Sequence, residues 1–351
     1  MGKKITQLNA NELPYDGHEL IAIVEAGETR GGTLSSITNY LTGAVYDSLG
    51  GTPGVQPIAS PLKNNFFITT QSIAGDLSGT GRLTIGTSQS ASGTLATIAG
   101  GTGNTANSNC SFIGGGEDNK AGLVAACCYV FIGGGCNNMA TKPTGTVTGG
   151  ESNVAQGWGN FIGGGCDNTT YLNSYSSIVG GRGNAVNSAC STIAGGKDNT
   201  IDISSHYSVV GGGSGNCTNS SHASILGGLL NHASGCGSTV VGGLSNRTTA
   251  SNAFIGGGGQ NAVHGLSAAA VGGRLNIASG RTSFIGGGDS NTASGNYAIV
   301  VGGLTNQSTG LSSFIGGGTL NVASGRGTTV GGGYNNYSVG NNTYIGGGWD
   351  N

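Results

Sequence analysis

Apolar and polar positions along most of this chain recur with a fixed period, and an asparagine marks each repeat. From Asn216 to Asn351 every fifteenth residue is Asn, and each closes a near-copy of Ser-Phe-Ile-Gly-Gly-Gly-x-x-Asn-x-Ala-Ser-Gly, as in Ser283 to Gly295. Successive side chains of a strand point to opposite faces, which sorts the positions before each Asn. Eight before the Asn is small (Ser283, Ala298, Ser313, Thr328), six before is Ile or Val (Ile285, Val300, Ile315, Val330), four before is Gly, and two after is Ala, Thr, Val or Ser. This set predicts the lumen of a thin coil, where one branched residue per rung faces Gly and Ala. So short a period holds no independent domain, and each copy is read as one rung of a stacked solenoid.

The opposite face of the same strand is also apolar. Seven and five before the Asn, Phe254 is paired with Gly256, Phe284 with Gly286 and Phe314 with Gly316, while the rungs between carry Ala269 with Val271 and Ile299 with Val301. Large and small alternate over thirty residues, so neighbouring rungs are expected to compensate each other's volume. A strand apolar on both faces is buried on both. One face closes the coil; the other is expected to meet another chain. One Ile and one Val per rung offset little of the entropy of ordering a Gly-rich segment. Lateral association in a closed, symmetric homotrimer is expected to supply the rest. The Asn column itself has a structural reading: Asn tolerates left-handed backbone, and stacked Asn side chains hydrogen-bond along a rod.

The ladder begins at Asn104, and Gln89 stands one period earlier. Spacings of 19 from Asn119 to Asn138, 16 from Asn168 to Asn184 and 17 from Asn199 to Asn216 mark three insertions, all in the first half of the array. Residues 89–351 therefore form the expected parallel β-solenoid (β-roll) shaft, an all-β rod of fifteen-residue rungs. Residues 51–88 form a connector holding Pro53, Pro57 and Pro61 and the strand-like pieces Phe66–Thr70 and Leu83–Ile85. Residues 1–50 have mixed composition: Leu20–Val24 is read as a strand, Gly27-Glu28 as a turn, and Thr33 as the cap of a short helix carrying Leu34, Ile37, Tyr40 and Leu41. This is too little apolar surface to stand alone, so the region is expected to dock on a larger assembly.

Composition narrows the function classes. Gly fills 74 of 351 positions and charged residues only 8%, with five Pro and no strict three-residue Gly period, which excludes an ordinary globular chain and collagen. A net charge of −2 gives no electrostatic reason to expect nucleic acid or anionic lipid. Met1 to Asn9 has no apolar stretch after Lys3 and Lys4, and no later stretch is long and apolar enough to span a bilayer. We therefore expect cytoplasmic synthesis and no membrane insertion. The rod stops in phase with its repeat at Trp349-Asp350-Asn351, where a cap or partner protein is expected.

Residues that could carry chemistry are dispersed. Cys136 and Cys166 share a column but lie two rungs apart, beyond disulfide reach, and Cys110 and Cys190 are farther still, so buried or half-buried free thiols are expected. The five His occur singly and read as solvated turn residues. Asp118, Asp167, Asp198 and Asp350 precede their Asn mostly on non-adjacent rungs, unlike calcium-binding repeats. Gly211 to Gly215 lacks the strand–loop–helix setting of a phosphate loop. No nucleophile–base pair or paired carboxylate is evident, and we expect no enzyme, cofactor or metal. The insertions bring Tyr129, Tyr171, Tyr175, His206 and Tyr207, with Trp158 nearby. Exposed aromatics suit saccharide stacking or protein contact, which makes these six the receptor-contact candidates; local cover for a widened coil is the other reading.

The unit 283–297 resembles the head repeat of trimeric autotransporter adhesins (the YadA-like family), Ser-Val-Ala-Ile-Gly-x-x-Ser-x-Ala-x-Gly, over about 89–351. It departs from that repeat by an added residue and by Asn in place of Ser. The resemblance implies a left-handed parallel β-roll with three identical chains side by side. Ile5-Thr6-Gln7-Leu8, Leu20–Val24 and Gly27-Glu28-Thr29-Arg30 followed by Thr33-Leu34 resemble the N-terminal segment of bacteriophage tail-fibre proteins. That likeness implies a homotrimeric virion component assembled in the host cytoplasm. Its N-terminus would join a tail or baseplate protein, and its far end would face a tip protein or a host-surface glycan. An adhesin or glycan-binding module on the same scaffold is the alternative. An ice-binding solenoid would want Thr rows on consecutive rungs, and a polyglycine-II tip would want denser Gly.

Overall fold

The computed structural model describes residues 20–25, 28–33, 83–123 and 128–351. Each rung contains two strands of two residues. One comprises the residues seven and six before the Asn, and its copies stack in parallel from Leu83–Thr84 and Thr97–Ile98 to Tyr344–Ile345. The other comprises the two residues after the Asn, stacked from Ser90–Ala91 to Tyr337–Ser338. We call these the Ile ladder and the Ala ladder. A third row of single bridges joins the residues two before the Asn, from Thr87 to Trp349. Each residue pairs with its equivalent in the next rung, as Phe284 does with Ile299 and Ile285 with Val300. The chain is a parallel β-solenoid.

The lumen follows the periodic pattern at three columns and departs from it at the fourth. Ile285, Val300, Ala293 and Ala298 are fully buried between the two ladders, like their equivalents along the rod. The Gly four before the Asn does not face inward: a Cβ built on Gly287 meets nothing within 4 Å. The strand ends two residues earlier, so its alternation does not reach that position. The next glycine is the constrained one. Gly288 has φ +87°, and a Cβ there would lie 2.2 Å from the Gly303 carbonyl oxygen and 2.6 Å from Asn291 Nδ2.

The Asn side chain fills the space that those glycines open. Asn291 is fully buried. Its Nδ2 donates to the Gly287 carbonyl at 3.0 Å and to the Gly303 carbonyl of the next rung at 2.9 Å, while its Oδ1 accepts the Asn306 N–H at 3.0 Å. Each buried amide group is thereby satisfied, which a dry lumen demands. The left-handed residue is the one before the Asn, not the Asn: φ is 58° at Ser290, 53° at Asp118 and 59° at Leu320. Gln89 starts the column, its Oε1 accepting the Asn104 N–H at 2.9 Å and its Nε2 donating to the Gly100 carbonyl at 3.1 Å.

Two corners join the ladders. The Asn corner holds the four residues before each Asn; the insertion corner holds the residues from three after the Asn to the start of the next Ile-ladder strand. All three insertions fall in the second, between Ala121 and Phe131, Thr170 and Ser177, and Ile201 and Val209.

Other expectations are corrected here. On the outer face of the Ile ladder, volume is also compensated within a rung: Phe284 Cε1 lies 3.6 Å from where a Gly286 Cβ would stand, so the ring covers its own rung's glycine. Phe112 and Phe131, on adjacent rungs, stack at 5.5 Å instead of alternating with a small residue. The described cysteines are free thiols, and Cys110, Cys128, Cys166 and Cys217 are half-buried as expected, but Cys136, Cys190 and Cys236 are exposed because their columns face outward. Near the N-terminus, Leu20–Glu25 pairs antiparallel with Glu28–Thr33, so the segment that includes Thr33 is a second strand. The expected helix over 34–41 and strand over 66–70 lie outside the described residues.

Candidate functional site

The six aromatic and His candidates all lie in the insertion corner, on one edge of the rod. Local backbone explains their exposure. Tyr129, Tyr175 and Tyr207 occupy the same place, nine before an Asn, each with φ between 58° and 60°. An L residue there turns its side chain away from the lumen, and a bulky one bears a strain of about 1–2 kcal/mol that Gly would not. Gly159, Gly237 and Gly327 do occupy the equivalent place on other rungs.

The structure brings these residues together only in part. Tyr175 is held by its N–H, which donates to the Trp158 carbonyl at 2.8 Å. Its ring rests over Gly159 one rung below, where a Cβ would come within 2.8 Å of Tyr175 Cδ1. Trp158 and Tyr175 thus sit side by side, 56% and 68% exposed. Tyr207 instead stacks on His222 of the next rung at 5.2 Å, a partner that sequence reasoning missed. Tyr129 stands on a separate rung. His206 is half-buried and tied down, its Nδ1 lying 3.2 Å from Ser188 Oγ and accepting the Ala189 N–H at 3.3 Å. The ring thereby helps cover the widened coil.

The widened rungs are satisfied from within. At the second insertion the buried Asn160 amide donates to the Tyr171 carbonyl at 2.9 Å and accepts the Ser176 N–H at 3.0 Å. At the third, Ser205 Oγ donates to the Thr218 carbonyl at 2.8 Å. Each insertion also exposes an aliphatic residue that the search for aromatics passed over: Leu123, Leu172 and Ile203. Their signal was position alone, since inserted residues have no place in the lumen.

The edge is therefore a row of exposed, largely apolar groups over several of the described rungs. Among the described residues, no group of three or more His, Cys, Asp and Glu is placed to hold a metal ion. Such a row can stack on a saccharide ring or interlock with another polypeptide.

A larger apolar surface lies beside it. On the outer face of the Ile ladder, the two columns from Thr97 to Tyr344 and Ala99 to Gly346 contain no Asp, Glu, Lys or Arg and no Asn or Gln. Phe254, Phe284, Val271 and Val301 on this face are exposed. The outer face of the Ala ladder differs, carrying Lys120, His232, Arg247 and Gln307. No family model matches the chain, and no curated protein is similar to it.

Proposed function

We propose that this chain is the shaft of a fibre on a virion, a rod of three identical copies laid side by side, with residues 1–50 as the attachment region. The observation that carries the reading is the charge-free outer face of the Ile ladder. A Phe that buries about 200 Å² when covered and is 37% exposed leaves roughly 75 Å² in water. Allowing for smaller residues, the face exposes on the order of 800 Å². That exceeds the roughly 300–600 Å² of the largest patch on a typical monomer and equals about one partner's share of a standard interface. A straight strip of this kind is covered best by another rod with the same rise. Rungs occupied by packing leave the scaffold little room for catalysis, which favours a structural part over an enzyme.

The reading requires a native mass three times 34.2 kDa and a shaft of about 75–80 Å from Asn104 to Asn351, at roughly 4.8 Å per rung. Phe284→Asp should dissociate or aggregate the rod, since it places a charge in the joint. A stable monomer of the unaltered chain would end the trimeric reading. For the virion assignment, deleting residues 1–50 should leave folded rods that no longer incorporate into particles. Normal copy number of the truncated chain on virions would overturn that polarity.

A further inference from the structure

The two apolar surfaces of the rod differ in form. The outer face of the Ile ladder is continuous, whereas the insertion corner carries separate rings. Tyr129, Tyr175 and Tyr207 share one column, nine before their Asn, with Trp158 beside Tyr175 and His222 stacked on Tyr207. Tyr129 and Tyr175 stand three rungs apart and Tyr175 and Tyr207 two, or about 14 and 10 Å at roughly 4.8 Å per rung. All three Tyr and Trp158 are exposed. The Tyr207 and His222 centroids lie 5.2 Å apart at an interplanar angle of 11°. Direct ring contact needs only about 3.5–4.0 Å, so these rings are offset and part of each face stays open. Each of the three Tyr also holds left-handed backbone where Gly159, Gly237 and Gly327 stand on other rungs, so the turn itself does not require a ring there.

Charge and spacing along this edge select a ligand class. From Tyr129 to His222 the insertion corner holds two charged residues, Lys142 and Asp202, of opposite sign, and the Asp202 carboxylate already accepts the Ile203 N–H at 2.7 Å. Nucleic acid and acidic polymers find no cationic row here. An extended polypeptide repeats its side chains on one face about every 6.6–6.8 Å and falls out of phase with a 4.8 Å rung within a few residues. A linear chain of β-linked hexoses advances by close to one rung per sugar. Each of its pyranose rings offers an apolar C–H face bordered by hydroxyls, which suits isolated aromatic faces set among Ser, Thr and Asn.

We propose that the insertion corner between Tyr129 and Tyr207 binds a linear, uncharged β-linked hexose chain laid along the rod, its sugar faces resting on the three Tyr rings with Trp158 beside the middle one. A chain seated on one ring stays in phase with the other two, because rung and sugar advance together. The span from Tyr129 to Tyr207 is five rung steps and takes six sugars. Ser174 and Ser204, next to the second ring and within the third insertion, supply hydroxyls at the same edge, half-buried and exposed respectively. The site belongs to a single copy and does not depend on the side-by-side reading.

The chain has two Trp, so Trp349→Phe leaves Trp158 as the sole reporter at the site. This protein is titrated with β-1,4-linked oligomers of glucose, mannose or N-acetylglucosamine, two to eight units long. At least one series should shift the Trp158 emission, with affinity rising for each added unit up to six and level beyond. Tyr175→Gly and Tyr207→Gly should each weaken binding of the six-unit oligomer by roughly three- to tenfold. Their melting should be unchanged or raised, since Gly accepts the left-handed backbone without strain. Tyr297→Gly, at the equivalent place on a distant rung, should leave affinity unaltered. Binding that levels at two units, binding that survives both Gly variants, or no binding by any of the three series would overturn the proposal, the last leaving the edge to protein contact. Binding as expected by a chain whose native mass is that of one copy would end the trimeric reading and leave this site standing.

Discussion

The Asn corner and the insertion corner join the same two ladders, yet one never changes length and the other takes three insertions. At the Asn corner, Gly precedes the Asn by three and four positions in every rung from Gly100 to Gly348. The Asn amide spans that corner and the next rung at once, and its Nδ2 needs both carbonyls at about 3.0 Å. An added residue would displace one of them. The insertion corner has no such side chain repeated on every rung; the buried Asn160 spans it on one. A Cβ on Gly295 would lie 2.0 Å from the Gly310 carbonyl, yet Ser108, Ser220 and Ala250 occupy the equivalent place, so its backbone shifts to suit. A corner held mainly by backbone bonds can be lengthened; a corner held on every rung by the same buried side chain cannot.

The largest test of that contrast is an inserted residue. One Gly added between Ser290 and Asn291 should unfold the rungs on either side, because it removes the Asn from its carbonyls and slips the Ala ladder by one, turning Ala293 outward. One Gly added between Asn296 and Tyr297 should leave a rod with nearly unchanged circular dichroism and melting. Equal damage from both would erase the distinction.

Single methyl groups probe the same difference. Gly288→Ala forces a side chain onto the Gly303 carbonyl at φ +87° and should cost about 3 kcal/mol or more in chemical unfolding. Gly295→Ala should cost only about 1 kcal/mol, since Ala250 already fills the equivalent place. Next in size, Asn291→Ala leaves the Gly287 carbonyl and the Asn306 N–H without their partner, while the Asp289 N–H still bonds the Gly303 carbonyl, and should cost about 1–3 kcal/mol, seen as local loss of amide protection. Ser294→Ala, exposed in the insertion corner, should stay within about 0.5 kcal/mol.

The smallest effect is electrostatic. The Ser290 hydroxyl first, and then Arg274 at 2.8 Å, hold the Asp289 carboxyl below the ordinary carboxylate range. A depressed folded value adds stability that is present above the unfolded pKa and fades as pH falls through the folded one. Acid titration should therefore weaken the Asp289 rung slightly in the unaltered rod and not in Asp289→Asn. Because this pair is exposed, 0.5 M salt should remove most of the difference.

Much of this fold was legible because the repeat prints its own geometry. Ile285, Ala293 and Ser283 could be placed in the lumen from alternation alone, and the columns fixed the rung. What alternation could not reach was the turn: the two glycines look alike in sequence, but only Gly288 faces the next rung's carbonyl. Likewise Asn was read as tolerant of left-handed backbone, whereas the left-handed residue is the one before it, and the Asn owes its place to its amide. The six candidate residues were found by their aromaticity and by broken rhythm. Their shared edge was not, because the phase of an insertion becomes visible only once both flanking strands are located. The Tyr207–His222 stack required neighbours in space that lie fifteen positions apart.

The Asn column has a consequence for how such a chain lengthens. Each Asn donates its N–H to the Asn Oδ1 of the rung before and accepts at its own Oδ1 the N–H of the Asn after, as Asn276, Asn291 and Asn306 show at 3.0 Å. A duplicated or deleted stretch of fifteen residues therefore restores every bond it breaks, and needs no second change elsewhere. The reach of the rod is in this sense a copy number, set in steps of about 4.8 Å. Sliding replication over these repeats would yield rods of several lengths from one scaffold, each as well bonded in its interior as the next.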